Sequence, residues 1–185
     1  EGESFSGKTH VLTRKEALEI YICDNREYHI YNSVWSKLFC REAVKDLKFP
    51  VGRKSEDIIY TTRAFLNIDT CVFLDTPYYN YLTDREDSIM NQGLGERRFK
   101  DEIPFWKEQL IYLENAGEVE LAHKAAYQFY RRMLFYYVDC RDRKMKAAGR
   151  QLVRLLRKEK KEINWIYRKD FVKTGDKVRM GMALT

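Results

Sequence analysis

Apolar residues recur at helical spacing over most of this chain and alternate with polar ones only in short runs. From Thr9, "THVLTRKEALEIYICDN" reads as a helix entered at Thr13, with Glu16 three residues on completing a capping box. Ala17, Leu18, Tyr21 and Ile22 make its apolar face. "SVWSKLFCREAV", short and bulky, predicts an extended segment ending in a turn of helix. "TCVFLDTPYYNYLT" predicts two strand-like runs around Thr76-Pro77, in which Tyr78, Tyr79 and Tyr81 alternate as in a half-buried strand. "NQGLGERR" is the clearest loop, and it sets the expected boundary between residues 1–92 and 93–185. Beyond it the pattern is helical. "DEIPFWKEQLIYLENAG" places Pro104 in a first turn and Gly117 just past the end, the favoured sites for both. "EVELAHKAAYQFYRRMLFYYVDC" and "RDRKMKAAGRQLVRLLRKEKKE" supply two more helices.

One helix start has two readings. In "FPVGRKSEDIIYTTRAF", Ser55 is a good N-cap, and Glu56 and Asp57 sit where the helix macrodipole favours negative charge by roughly 0.3–1 kcal/mol each. Ile58, Ile59, Ala64, Phe65 and Leu66 then supply an apolar face. A capped amphipathic helix thus accounts for both acids without any chemistry. Their neighbours decide the matter.

The composition is that of a globular chain, with 44% hydrophobic and 34% charged residues in 185. No run approaches the roughly 18 apolar residues of a spanning helix. The opening "EGESFSGKTH" has no apolar core of a signal peptide, and Glu1 in place of Met reads as a processed chain or a piece of a longer one. Cys23, Cys40, Cys71 and Cys140 are scattered, with no Cys-x-x-Cys and three histidines in all, so the expectation is reduced thiols, a cytoplasmic setting and no metal site in this chain. From Arg141 to Lys173 thirteen Lys or Arg stand against four Asp or Glu. The segment exceeds the whole chain's +6, and the remainder is acidic.

The order of "SVWSKLFCREAV", "LKFPVGRKSEDIIYTTRAFL" and "TPYYNYLTDREDSI" resembles the second half of a bacterial family 2 glycosyltransferase domain. The resemblance is carried by Trp35, Lys37, Leu38 and Phe39; by Phe49, Pro50 and Gly52; by Glu56 and Asp57; by Tyr79 and Tyr81; and by Arg85, Ser88 and Ile89. It spans residues 34 to 89. No one of these motifs is specific; their succession is. The resemblance implies a GT-A-type fold, a nucleotide-sugar donor, a saccharide or lipid-linked saccharide acceptor, and cell-surface polysaccharide synthesis. It also implies that Asp57 is the catalytic base of an inverting transfer, with Glu56 as its neighbour. The chemistry is coherent, because the acceptor hydroxyl must lose its proton as it attacks the anomeric carbon. A helix N-terminus holds the carboxylate rigidly, yet its dipole lowers the pKa, so burial or Glu56 must offset that. Trp35 and Lys37 are candidates for the acceptor pocket, against the alternative that Trp35 is core. Arg53 and Lys54 are candidates for contact with a diphosphate, against the alternative that they are solvated. His123 has no assigned role.

The departure from the family is large. Its donor half ends in an Asp-x-Asp segment holding Mn or Mg, and no Asp-x-Asp occurs here. The expectation is therefore an α+β chain, mostly α: a partial GT-A-type, acceptor-side half-domain over residues 1–92 with a few short strands, then a helical extension over residues 93–185. The divalent metal belongs to the complete enzyme, and this chain alone is expected to be inactive.

The extension supports a rival class. Met145, Ala148, Leu152, Leu155 and Leu156 fall on one side of a helix, and Arg143, Lys146, Arg150, Arg154, Arg157 and Lys161 on the other. Such a helix suits an anionic membrane surface, placing the chain peripherally at the inner face of the cell membrane. Alternatively the leucines pack on the preceding helix. Nucleic acid would use the same charge, but no specific nucleic-acid motif is present. "YQFYRRMLFYYV" suits self-association into a homo-oligomer. The alternative to an enzyme is thus a non-catalytic interaction module.

Overall fold

A computed structural model describes residues 5–23, 28, 30–79 and 98–184. The fold is mostly helical with one small antiparallel sheet, in keeping with an α+β class. The chain divides into two compact units, Glu1–Tyr112 and Leu113–Thr185. The division falls some twenty residues after the expected boundary at 92, which itself lies outside the described residues.

In the first unit, strand β1 (Thr9–Thr13) pairs antiparallel with β2 (Thr70–Leu74), Thr9 opposite Leu74 and Thr13 opposite Thr70. The ribbon continues where Gly7 N–H donates to Asp75 O and Asp75 N–H to Lys8 O, each at 2.9 Å. Helix α1 (Arg14–Cys23) follows β1 without a loop. The expected capping box is present: Thr13 N–H donates to Glu16 Oε2 at 2.8 Å, and Glu16 N–H to Thr13 Oγ1 at 3.3 Å. These bonds hold the Glu16 carboxyl below its usual pKa. Ala17, Leu18, Tyr21 and Ile22 are all buried, as the spacing predicts. β1 is the surprise, because five residues expected to lead into a helix pair instead with a strand nearly sixty positions away.

The bulky segment contains a 3₁₀ turn at Val34–Ser36 and a single turn of helix, α2 (Arg41–Val44). Helix α3 (Asp57–Leu66) buries Ile58, Ile59, Ala64 and Phe65. A wide π-helical turn at Arg98–Glu102 leads into α4 (Ile103–Asn115). Ile58, Ile59 and Phe105 form a core cluster, with Trp106 and Tyr112 packed on it. Beyond β2, Tyr78 and Tyr79 are exposed and lie outside any strand; Tyr81, Arg85, Ser88 and Ile89 lie outside the described residues.

α4 ends in a Schellman motif: Gly117, at φ 78°, donates to Glu114 O at 3.0 Å, and Glu118 N–H to Leu113 O at 2.9 Å. A Cβ there would carry the cost of a left-handed backbone. In the second unit α5 (Val119–Asp142) is a central post touched by α6 (Lys146–Lys158), α7 (Lys160–Ile166) and α8 (Thr174–Leu184). α5 ends in the same way, Met145 N–H donating to Cys140 O at 2.7 Å and Lys144 N–H to Arg141 O at 3.0 Å, but here Lys144 itself takes the left-handed φ of 57°. The third helix therefore begins at Lys146, and Arg141 and Asp142 belong to α5. No disulfide joins the cysteines; Cys140 is buried and Cys40 exposed. Among the described residues no helix is long and apolar enough to cross a membrane.

Candidate functional site

The first turn of α3 is the point around which the first unit is built. Ser55 is not its cap: it sits at φ 66°, and Glu56 occupies the cap position without a side-chain capping bond. The amides of Ile58 and Asp57 favour the charged form of the Asp57 carboxyl. Behind it lies a buried polar chain. The Ile58 carbonyl accepts from Tyr21 O–H at 3.2 Å and Thr62 O–H at 2.7 Å, and Gln109 Nε2 donates to Thr62 Oγ1 at 2.8 Å and Tyr21 Oη at 3.4 Å. Gln109 is buried, so α1, α3 and α4 are tied by bonds that water does not replace.

Two further bonds stitch the irregular segment to α3. Thr61 Oγ1, fully buried, donates to Asn32 O at 2.6 Å, and Asn67 Nδ2 to Ala43 O at 2.9 Å. Between these stitches stand Trp35 and Lys37. The 3₁₀ turn touches α3. Trp35 is not core: it is 51% exposed, and its ring lies 4.7 Å from that of Tyr79, itself 60% exposed, tilted by 35°. Together they present an aromatic plane to solvent. Lys37 folds back on its own loop, donating to Tyr31 O at 2.6 Å, Ser33 O at 2.7 Å and Ser36 Oγ at 3.2 Å. An ammonium has three donors, and this loop uses them all.

Lys37 and Asp57 nevertheless feel each other. Burial pulls Lys37 down to about 8, opposed by the charges of Asp57 and Cys71. Burial and then Glu56 raise the Asp57 carboxyl above the ordinary 3.8, while the two backbone amides and Lys37 pull it back. The balance falls on the side of a stronger base than a solvent-exposed aspartate. Cys71 is raised by burial against the pull of Lys37, so it is no ready nucleophile.

Arg53 and Lys54 are treated differently. The Arg53 guanidinium lies 3.5 Å over the Phe105 ring, 3.4 Å from Glu108 Oε2 and 3.9 Å from Asp101 Oδ1. It fastens the loop before α3 to α4. Lys54 N–H donates to Asp101 Oδ2 at 3.3 Å, while its side chain is exposed. Phe49 stacks on Tyr60 at 4.0 Å, holding the other end of that loop. The structure thus brings Glu56, Asp57, Lys37 and the turn of Trp35 together and draws Arg53 toward α4. Among the described residues no group of three His, Cys, Asp or Glu side chains is placed to hold a metal. Sequence reading missed Gln109 and Thr61, although a Gln at an inward position between Trp106 and Leu113 is a signal for a buried network.

No family model, curated protein or solved structure matches this chain.

Proposed function

We propose that the first unit is the acceptor side of an inverting, nucleotide-sugar-dependent glycosyltransferase of GT-A type, with Asp57 as its base. One observation carries the reading: a half-buried carboxylate with raised proton affinity heads α3, a helix touched by the turn that bears the exposed Trp35. In this reading an acceptor saccharide lays a ring face on Trp35 and Tyr79. Its hydroxyl gives a proton to Asp57, the oxygen forms a bond to the anomeric carbon, and the bond to the nucleotide breaks on the opposite face with the electron pair leaving on the diphosphate. Burial, and after it the charge of Glu56, keeps the proton affinity of Asp57 high. Lys37 acts by charge from within its loop, Arg53 positions the loop, and Lys54 offers an exposed ammonium to an acceptor phosphate.

The Mn or Mg that the resemblance implies does not fit the groups at this site, where two adjacent carboxylates stand beside an ammonium. The donor side belongs to residues other than those described. The reading is tested by Asp57→Asn in the natural gene product, assayed with a panel of nucleotide-sugars. Transfer should fall about 10²–10⁴-fold with nucleotide-sugar binding kept; undiminished transfer would remove Asp57 from the role of base, and no transfer by the unsubstituted protein would leave the interaction-module reading in its place.

A further inference from the structure

The outward face of α6 carries charge that the fold does not explain. Leu152 and Leu156 are 0% and 2% exposed, and Leu155, Met145 and Ala148 are half-buried, with α6 lying against α5. The apolar stripe is therefore occupied. On the open side Lys146, Arg150, Arg154, Arg157 and Lys158 are exposed, as is Lys161 at the start of α7. Among the described residues none of the six is in an ion pair or a side-chain hydrogen bond, whereas Arg143 and Arg141 just before them pair with Asp139 at 2.7 Å and Asp142 at 3.3 Å.

Two features work against folding. Lys146, Arg150 and Arg154 are spaced four apart, where like charges destabilise a helix by a few tenths of a kcal/mol per pair. Lys146 and Arg150 also stand in the N-terminal half of α6, at the end of the macrodipole that disfavours cations, and no acid occupies its first turn. Arg157 and Lys158, in the last turn, suit the dipole, and Lys146, in the first, does not. The stripe runs along a helix about 20 Å long.

We propose that this face of α6 adsorbs the chain onto an anionic lipid surface. The open side of α6 carries a row of Lys and Arg with a single amide, Gln151, and no aromatic ring, so the ring platforms on which successive bases stack are missing from it. A row of cations is sufficient for a sheet of lipid phosphates, where each contributes on its own. Because the leucines are buried against α5, adsorption is by charge alone, without insertion, and must be lost at high salt. This surface is independent of the transferase reading.

The test is sedimentation of the whole 185-residue chain with phosphatidylcholine vesicles, with and without roughly one third phosphatidylglycerol. Binding is expected only to the anionic vesicles. The triple variant Lys146→Gln, Arg150→Gln, Arg154→Gln should bind about a hundredfold more weakly, while Lys8→Gln with Lys15→Gln, in the first unit, leaves binding unchanged. All five positions are exposed, and the triple variant relieves repulsion, so an unchanged circular dichroism spectrum is expected. Equal binding to neutral vesicles, an unaffected triple variant, or tighter binding to random duplex DNA than to anionic vesicles at the same salt would overturn the proposal.

Discussion

Each unit holds an aspartate away from bulk water, and the two are perturbed in opposite directions. Asp176, on α8, is 5% exposed and fully partnered: Tyr127 O–H donates to it at 2.5 Å, Arg179 at 2.9 Å, and Arg131 Nε stands 3.1 Å away. Burial alone would raise its pKa, but the hydrogen bonds from Tyr127 and Arg179 and the charges of both arginines carry it below the ordinary value. Asp57 receives backbone amides and a neighbouring acid, and its pKa goes up. The first is a satisfied anchor that joins α5 to α8. The second keeps proton affinity in reserve on a helix start beside exposed aromatics, which is what chemistry asks of a base. Their surroundings differ in kind too, since the second unit is four helices packed on one another and the first suspends irregular chain from α3 by single side-chain bonds.

The largest effect that would break this contrast is on activity, the 10²–10⁴-fold loss expected for Asp57→Asn. The same change should leave the fold intact or raise Tm slightly at neutral pH. A carboxyl whose folded pKa is raised contributes stability fully present below its unfolded pKa and lost as pH rises through the folded one. A fall in Tm on that substitution would make Asp57 a structural residue like Asp176. Next in size is Asp176→Ala, which leaves Arg131 without its buried partner and should cost about 3 kcal/mol in urea unfolding. Its pH dependence has the opposite sign: the contribution of Asp176 is present above the ordinary 3.8 and is lost as pH falls through its lowered folded pKa.

Gln109→Ala comes third. It removes the donor to Thr62 and Tyr21 and should cost about 2 kcal/mol, since buried hydroxyls lose a partner. If α3 depends on that network, the mutant should also lose the raised proton affinity of Asp57 as its first turn loosens. Smallest is Lys144→Gly, which should stabilise by about 0.5–1 kcal/mol, the relief of a left-handed lysine less the added freedom of glycine when unfolded. A loss of stability would mean that the lysine side chain matters more than its backbone.

What sequence shows and hides follows from range. The capping box of Thr13 and Glu16, the Gly117 terminus and the buried face of α1 are local, and each was legible. β1 was not, because its partner lies at Thr70–Leu74. Ser55 reads as a cap by residue type, yet the turn at Gly52 and Ser55, both with positive φ, moves the helix start on by one residue. At the site, the adjacency of Glu56 and Asp57 was visible, whereas the inward fold of Lys37 and the pull of Phe105, Asp101 and Glu108 on Arg53 needed three dimensions. Trp35, flanked by apolar neighbours, read more readily as core, and its exposure beside Tyr79 puts it at the surface. The α6 leucines had two uses open to them, and packing on α5 takes Leu152 and Leu156.

The most direct test of Asp57 as a poised base is its carboxyl titration, followed by ¹³C NMR in the wild-type chain and in Glu56→Gln, with Asp176 as internal reference. The account predicts an Asp57 midpoint above 3.8 that falls when Glu56 is neutralised, and an Asp176 midpoint below 3.8 that does not move. An Asp57 midpoint at or below that of Asp176, unmoved by Glu56→Gln, would make Asp57 a helix-start acid and nothing more.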